Sequence, residues 1–207
     1  MTTTLILVRH GRTAWNKDER FRGRTDLPLD QFGLRQAEAV GCQIARDFRP
    51  AAVFSSPLER SSRTAEAIAR QVGLSVHLHD DLLDLDYGDL SGLSLAEAEQ
   101  GFPELYQAWL TAPHTVRFPR GESLEDVRAR AMDLVRMVAQ QWSGKQIVLV
   151  SHTVVCRVLF CALLDVGIDR FWRFRTDPAS ISVFELSQAG ATLITANDVC
   201  HLKGLAE

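Results

Sequence analysis

The sequence predicts an α/β fold, a three-layer αβα arrangement around a mostly parallel central sheet with an antiparallel strand region at the C-terminal end. Three observations carry this expectation. Apolar runs at 4–8, 51–54 and 147–150 have the length and composition of strands buried on both faces. Apolar residues between them recur every three or four positions, as amphipathic helices require. Two later runs, 180–186 and 191–196, flank a turn at Gly190 and read as an antiparallel pair.

The first run, too short to cross a membrane, stops at Arg9, His10 and Gly11. The glycine lets the chain turn sharply and approach a ligand closely. The second runs into Ser55-Ser56-Pro57 and reaches Arg60; the third ends in Ser151-His152-Thr153. In an open parallel sheet the carboxyl ends of neighbouring strands line one crevice, so Arg9, His10, Arg60 and His152 can converge there on an anion.

Helices are expected in the intervals. One starts at Leu29 or Asp30 and buries Leu34, Ala37, Val40, Gly41, Ile44 and Ala45. A second has Pro57 in its first turn and a serine cap, which places Arg60 where a helix N-terminus and a guanidinium face the same phosphate. Arg63, three positions on, suits solvent or a salt bridge. Residues 93–110 read as one or two short helices broken near Pro103, forming a lid. Ser123, with Asp126 three residues later, caps a helix whose apolar stripe runs from Leu124 to Trp142. The segment 154–164 is apolar on most faces and should be a buried helix, with Thr153 offering a free backbone N–H to phosphate at its start.

Two hundred and seven residues suit a single domain spanning 1–207, and a net charge of -3 gives no general affinity for nucleic acid or membranes. Lys17, Lys145 and Lys203 are the lysines; the other cations are arginines, which suit planar recognition of phosphate or carboxylate. Cys42, Cys156, Cys161 and Cys200 lack metal-ligand or redox spacing and read as reduced thiols of a cytoplasmic protein. His77 and His79, beside Asp80 and Asp81, read as exposed polar positions on a strand, so neither metal nor cofactor is expected. A small phosphorylated molecule is the expected partner, and a homodimer is allowed.

Arg9-His10-Gly11 with Thr13 and Asn16, SSPLERSSRTAE at 55–66, and Ser151-His152 together resemble the histidine phosphatases, the phosphoglycerate mutase-like superfamily. SHTV at 151–154, FCALL at 160–164, GESLEDV at 121–127 and the late CHL are similar to its metal-independent phosphoserine phosphatases. The resemblance implies hydrolysis of a phosphomonoester in two displacements, with His10 as nucleophile. Arg9, Arg60 and His152 would hold the phosphoryl oxygens and Asn16 would orient the same group. The family's usual glutamate acid is here Asp84, with Asp86 as its competitor if the two alternate along an extended segment. Arg22 and Gly23 would read the rest of the substrate, Glu122 would face the pocket or cap a helix, and Tyr87 stands where the subgroup has a substrate-contacting histidine. His201 would be a substrate contact supplied by the tail. A mutase, an α-ribazole phosphate or sugar-phosphate phosphatase, and a phospho-ligand binder without turnover remain open. The longer insertion usual in mutases is missing between the acid segment and His152.

Overall fold

The computed structural model describes residues 1–16 and 20–205, Asn16 by its backbone alone. A six-stranded sheet runs through it. Its strands are β1 (Thr3–Arg9), β2 (Pro50–Ser55), β3 (Val76–Leu78), β4 (Gln146–Ser151), β5 (Ile181–Ser187) and β6 (Gly190–Asp198), in the spatial order β3-β2-β4-β1-β5-β6. The pairs β1/β4, β2/β4 and β2/β3 are parallel, while β1/β5 and β5/β6 are antiparallel, which gives the expected mixed sheet.

The strand side chains alternate between two cores, as a period of two demands. Leu5, Leu7, Phe54 and Leu149 face one core with α5 (Leu124–Gln141) and α6 (Thr153–Leu163). Ile6, Val8, Val53, Val148 and Val150 face the other, with α1 (Gln31–Asp47) and α2 (Glu59–Val72). The remaining helices, α3 (Leu95–Gly101) and α4 (Pro103–Thr111), meet at Phe102, where Pro103 cannot continue the preceding helix.

Helix starts follow local hydrogen bonding. Asp30 caps α1 by accepting from Gly33 N, and Ser123 and Asp126 form a reciprocal capping box on α5. The expected serine cap on α2 is absent. Leu58 is the cap residue, Pro57 precedes the helix, and the side chain of Ser56 accepts from Leu58 N at 3.3 Å and from His152 at 2.8 Å. Leu34, expected inside, is 42% exposed, because α1 turns its buried stripe through Ala37, Val40, Gly41 and Ile44. No described helix is long and apolar enough to cross a membrane.

Leu7 is 1% exposed within the sheet, so Leu7→Ala should destabilise the protein by about 2–5 kcal/mol through lost transfer energy and a residual cavity. Urea unfolding should show this as a lower midpoint with an unchanged slope.

Candidate active site

The β1/β4 register builds the centre of the site. Arg9 pairs with Ser151, so His10 and His152 leave the sheet side by side at its carboxyl edge. Their ring centroids lie 5.2 Å apart. Further backbone bonds prolong the ladder past the strands: His10 N donates to Ser151 O (3.0 Å), Ser56 N to Val150 O (3.1 Å) and Ala179 N to His10 O (3.1 Å). Packing alone already requires Gly11. A Cβ there would lie 2.6 Å from Gly33 O, so α1 could not close onto the loop.

Both histidines are almost completely buried and their partners define their tautomers. His10 Nδ1 lies 2.7 Å from Gly11 O, an acceptor only, so Nδ1 carries the proton and Nε2 keeps its lone pair. Burial, then the charges of Arg60, Arg9 and Arg22, push the His10 pKa well below the ordinary value, outweighing the Gly11 carbonyl. Arg60 Nε donates to His152 Nδ1 at 3.2 Å, so the His152 proton sits on Nε2, which donates to Ser56 Oγ at 2.8 Å. Burial and Arg60 lower the His152 pKa as well.

Arg60 is wholly enclosed. Besides His152, it donates to Thr25 O (2.9 Å), Gly23 O (2.8 Å) and Asp84 Oδ2 (3.3 Å). Its guanidinium therefore knits together the β1–α1 loop, α2, the acid segment and β4. Gly23 makes this possible: its φ is +49°, and a Cβ would lie 2.9 Å from Leu85 O. Arg9 donates through Nη1 to Thr176 O at 2.6 Å, and its buried Nε has no protein partner. Burial and the neighbouring Arg22 push Arg9 down to about 9, which leaves it cationic at neutral pH. Arg22 likewise has a buried, unpartnered Nη1. The unpaired N–H groups of the basic corner thus belong to Arg9 and Arg22, whereas Arg60 is largely satisfied by protein.

Asp84 and Asp86 separate clearly. Asp84 is 6% exposed, with Oδ2 at 3.3 Å from Arg60 Nη2 and 3.9 Å from His152 Nδ1. Burial raises its pKa against the opposing pull of Arg60 and Arg22. Asp86 instead accepts from Gly88 N at 2.9 Å and lies 3.7 Å from Arg24 Nη1. The expected alternation fails because residues 83–87 pair with no strand. Arg130 of α5 secures this irregular segment, donating to Asp81 O at 2.7 Å and Asp84 O at 3.3 Å. Glu122 faces that clamp rather than the pocket: it lies 3.0 Å from Arg130 Nε and accepts from Asp86 N.

Outside the histidine pair lies a cleft of about 110 Å³, lined by Arg22, Gly23, Asp84, Tyr87 and Thr153 among the expected residues. Tyr87 is held edge-on between Phe21 and Phe118, at centroid distances of 5.0 and 4.9 Å. Burial raises its phenol pKa, so the hydroxyl stays protonated. His201 does not line the cleft, contrary to expectation; its Nε2 lies 3.0 Å from Ala179 O, within the loop that holds the His10 carbonyl. The short turn Cys200–Leu202 docks the tail there, with Leu202 packed on the α1 side of the sheet. The side chain of Asn16 lies outside the described residues.

Ser56, Arg130 and Arg157 are the site residues that sequence reasoning omits. Arg157 carries the most legible signal, a lone cation in an apolar helix, one turn beyond Thr153. Cys156, beside it, is buried and unpaired, and burial pushes its thiol up to about 12. His77 stacks on Phe54 at 5.1 Å, and His79 Nδ1 accepts from Asp81 N. Among the described residues, no group of three or more histidine, cysteine, aspartate or glutamate side chains is arranged to hold a metal ion.

An α/β sheet edge carrying paired neutral imidazoles, a buried carboxyl and convergent guanidinium groups defines a protein that handles phosphoryl groups. Residues 5–199 match the family model of the histidine phosphatase superfamily, branch 1, and the chain belongs to that family. It is a phosphatase by class. It is similar to phosphoserine phosphatase 1 of Hydrogenobacter thermophilus, 36% identical over 198 residues, covering 96% of this chain and 93% of the relative. Its fold matches Bacillus stearothermophilus YhfR with a TM-score of 0.92 at 29% identity, over 97% of this chain and 100% of the other. A mutant phosphoserine phosphatase from Entamoeba histolytica, solved with phosphoserine, matches at 0.86 and 28% identity, over 97% and 99%.

The buried histidines make stability depend on pH. Their folded pKa values lie below 6.5, so the unfolded chain binds protons that the folded chain refuses. This contribution is fully present above pH 6.5 and lost as pH falls below it. Asp84, raised above 3.8, acts with the opposite sign: its contribution is present below 3.8 and lost as pH rises through its folded value. Thermal melts should show stability falling from about pH 7 to about pH 5, with a shallower fall in His10→Gln/His152→Gln. Equal slopes would contradict the burial of two neutral imidazoles.

Proposed function

We propose that this protein is a metal-independent phosphomonoesterase acting through a phosphohistidine at His10 on a small phosphorylated metabolite, with L-phosphoserine as the leading substrate. The observation that carries this reading is the Nδ1–H of His10 on the Gly11 carbonyl, which leaves a neutral Nε2 lone pair in the field of Arg60, Arg9 and Arg22. The two phosphoserine phosphatases among its relatives support the choice of phosphoserine.

In the first displacement His10 Nε2 attacks phosphorus while the ester oxygen departs with the proton of Asp84. In the second, the Asp84 carboxylate takes a proton from water, which attacks the phosphohistidine and releases inorganic phosphate and neutral His10. Arg9 and Arg22 offer their open N–H groups to the phosphoryl oxygens, supplying positive charge as the transition state develops. Arg60 and His152 complete the cradle, His152 exchanging Ser56 for a phosphate oxygen. Thr153 at the start of α6 contributes a backbone N–H. The raised Asp84 pKa supports its use as a proton donor despite a shorter side chain than glutamate.

Rapid quenching with phosphoserine should trap phosphate on His10, and His10→Ala should abolish the signal. Free phosphate should accumulate from phosphoserine, whereas isomer formation from 3-phosphoglycerate without free phosphate would establish a mutase. Asp84→Asn should slow phosphoserine by about 10²–10⁴-fold but an activated aryl phosphate by about tenfold or less. Comparing the two leaving groups separates lost proton donation from disturbance of the buried Arg60, which would slow both alike.

A further inference from the structure

Arg157 lies on the same face of α6 as Thr153, one turn further along, and lines the cleft beyond the histidines. Its Cζ stands 5.0 Å from the Trp172 ring centroid and 5.5 Å from that of Phe171. The aromatic rings hold its stem and plane, yet its buried Nε has no hydrogen-bond partner, and among the described residues it makes no ion pair. A buried guanidinium donor left unpaired is costly and awaits an acceptor.

The other cations of the cleft are differently occupied. Arg20 donates to Gly92 O at 2.9 Å and lies 3.6 Å from Glu97. The charge of Arg22 acts on His10, Arg60, Asp84 and His152, which assigns it to the phosphoryl corner. Asp84 is the carboxylate lining the cleft, and it faces Arg60. The wall formed by Arg157, Phe171 and Trp172 is therefore cationic; Asp177, whose charge reaches Arg157, is itself bonded to Arg175 and Asn197.

We propose that Arg157 is a specificity-determining residue that binds a carboxylate on the substrate, through the Nε edge of a guanidinium fixed against Trp172. A carboxylate presents two coplanar oxygens to that edge, and a guanidinium recognises such a pair side-on. Substrates that join a phosphate ester to a carboxylate across a few bonds suit a cleft of about 110 Å³ lined by Arg22 and Arg157. This deepens the proposed function and rests on its placement of the phosphoryl group at His10.

The test uses two ligand pairs, phosphoserine against phosphoethanolamine and 3-phosphoglycerate against glycerol 3-phosphate, each differing at the carboxylate. Binding is measured calorimetrically to His10→Ala, so no turnover is needed. The carboxylated member of each pair should bind about 10–100-fold more tightly, and adding Arg157→Met should remove that preference while leaving the uncarboxylated ligand within about twofold. In the catalytically intact chain, Arg157→Met should raise KM for phosphoserine and spare kcat for an aryl phosphate, and Arg157→Lys should restore part of the KM. Equal binding within each pair, or a preference that survives Arg157→Met, would overturn the proposal. A chain that binds as expected but never forms phosphohistidine would instead refute the catalytic reading and leave the carboxylate site standing.

Discussion

The site depends on one register. Parallel pairing of β1 with β4 sets Arg9 opposite Ser151, and the next residue of each strand is a histidine. A one-residue slip would send the apolar side chains of β1 to the wrong faces and carry His10 away from His152. The two cores prevent that slip, since Leu5 and Leu7 are enclosed on one side and Ile6 and Val8 on the other. Burial of aliphatic side chains, which has no chemistry of its own, therefore fixes the spacing of the imidazoles.

The interior charge of Arg60 adds a second constraint. A guanidinium taken out of water must be met by acceptors, and here these are two loop carbonyls, a histidine nitrogen and Asp84. Three segments distant in sequence are thereby tied to the helix that carries Arg60. Burial, reinforced by this charge, keeps both histidines neutral, and burial also pushes Asp84 toward its protonated form. One arrangement thus separates the imidazoles and the carboxyl by protonation state.

Much of this is legible in the chain. Three short apolar runs, each ending in an imidazole or leading to a guanidinium, disclose both the sheet and the edge where the site forms. What escapes has identifiable physical causes. Asp84 and Asp86 do not alternate because their segment is held by Arg130 and by its own turns rather than by a neighbouring strand. Ser56 is not the cap of α2: its hydroxyl accepts from Leu58 N, just before the helix, and from His152, a residue 96 positions away. Arg157 hides in an apolar helix, where only the fold reveals the aromatic rings that brace it. His201 looks like a tail residue reaching for substrate, yet it bonds to the loop behind His10.

The sulfur beneath this pocket has a further consequence. Cys156 adjoins Arg157 in sequence and feels the charge of Arg9, but enclosure holds it as a thiol up to about pH 12. Peroxide and alkylating agents attack thiolates, so they find little to react with there. Cys42 and Cys200, exposed at the surface, meet such reagents first. If turnover runs through the proposed phosphohistidine at His10, it should persist under oxidative conditions that silence enzymes relying on a reactive cysteine.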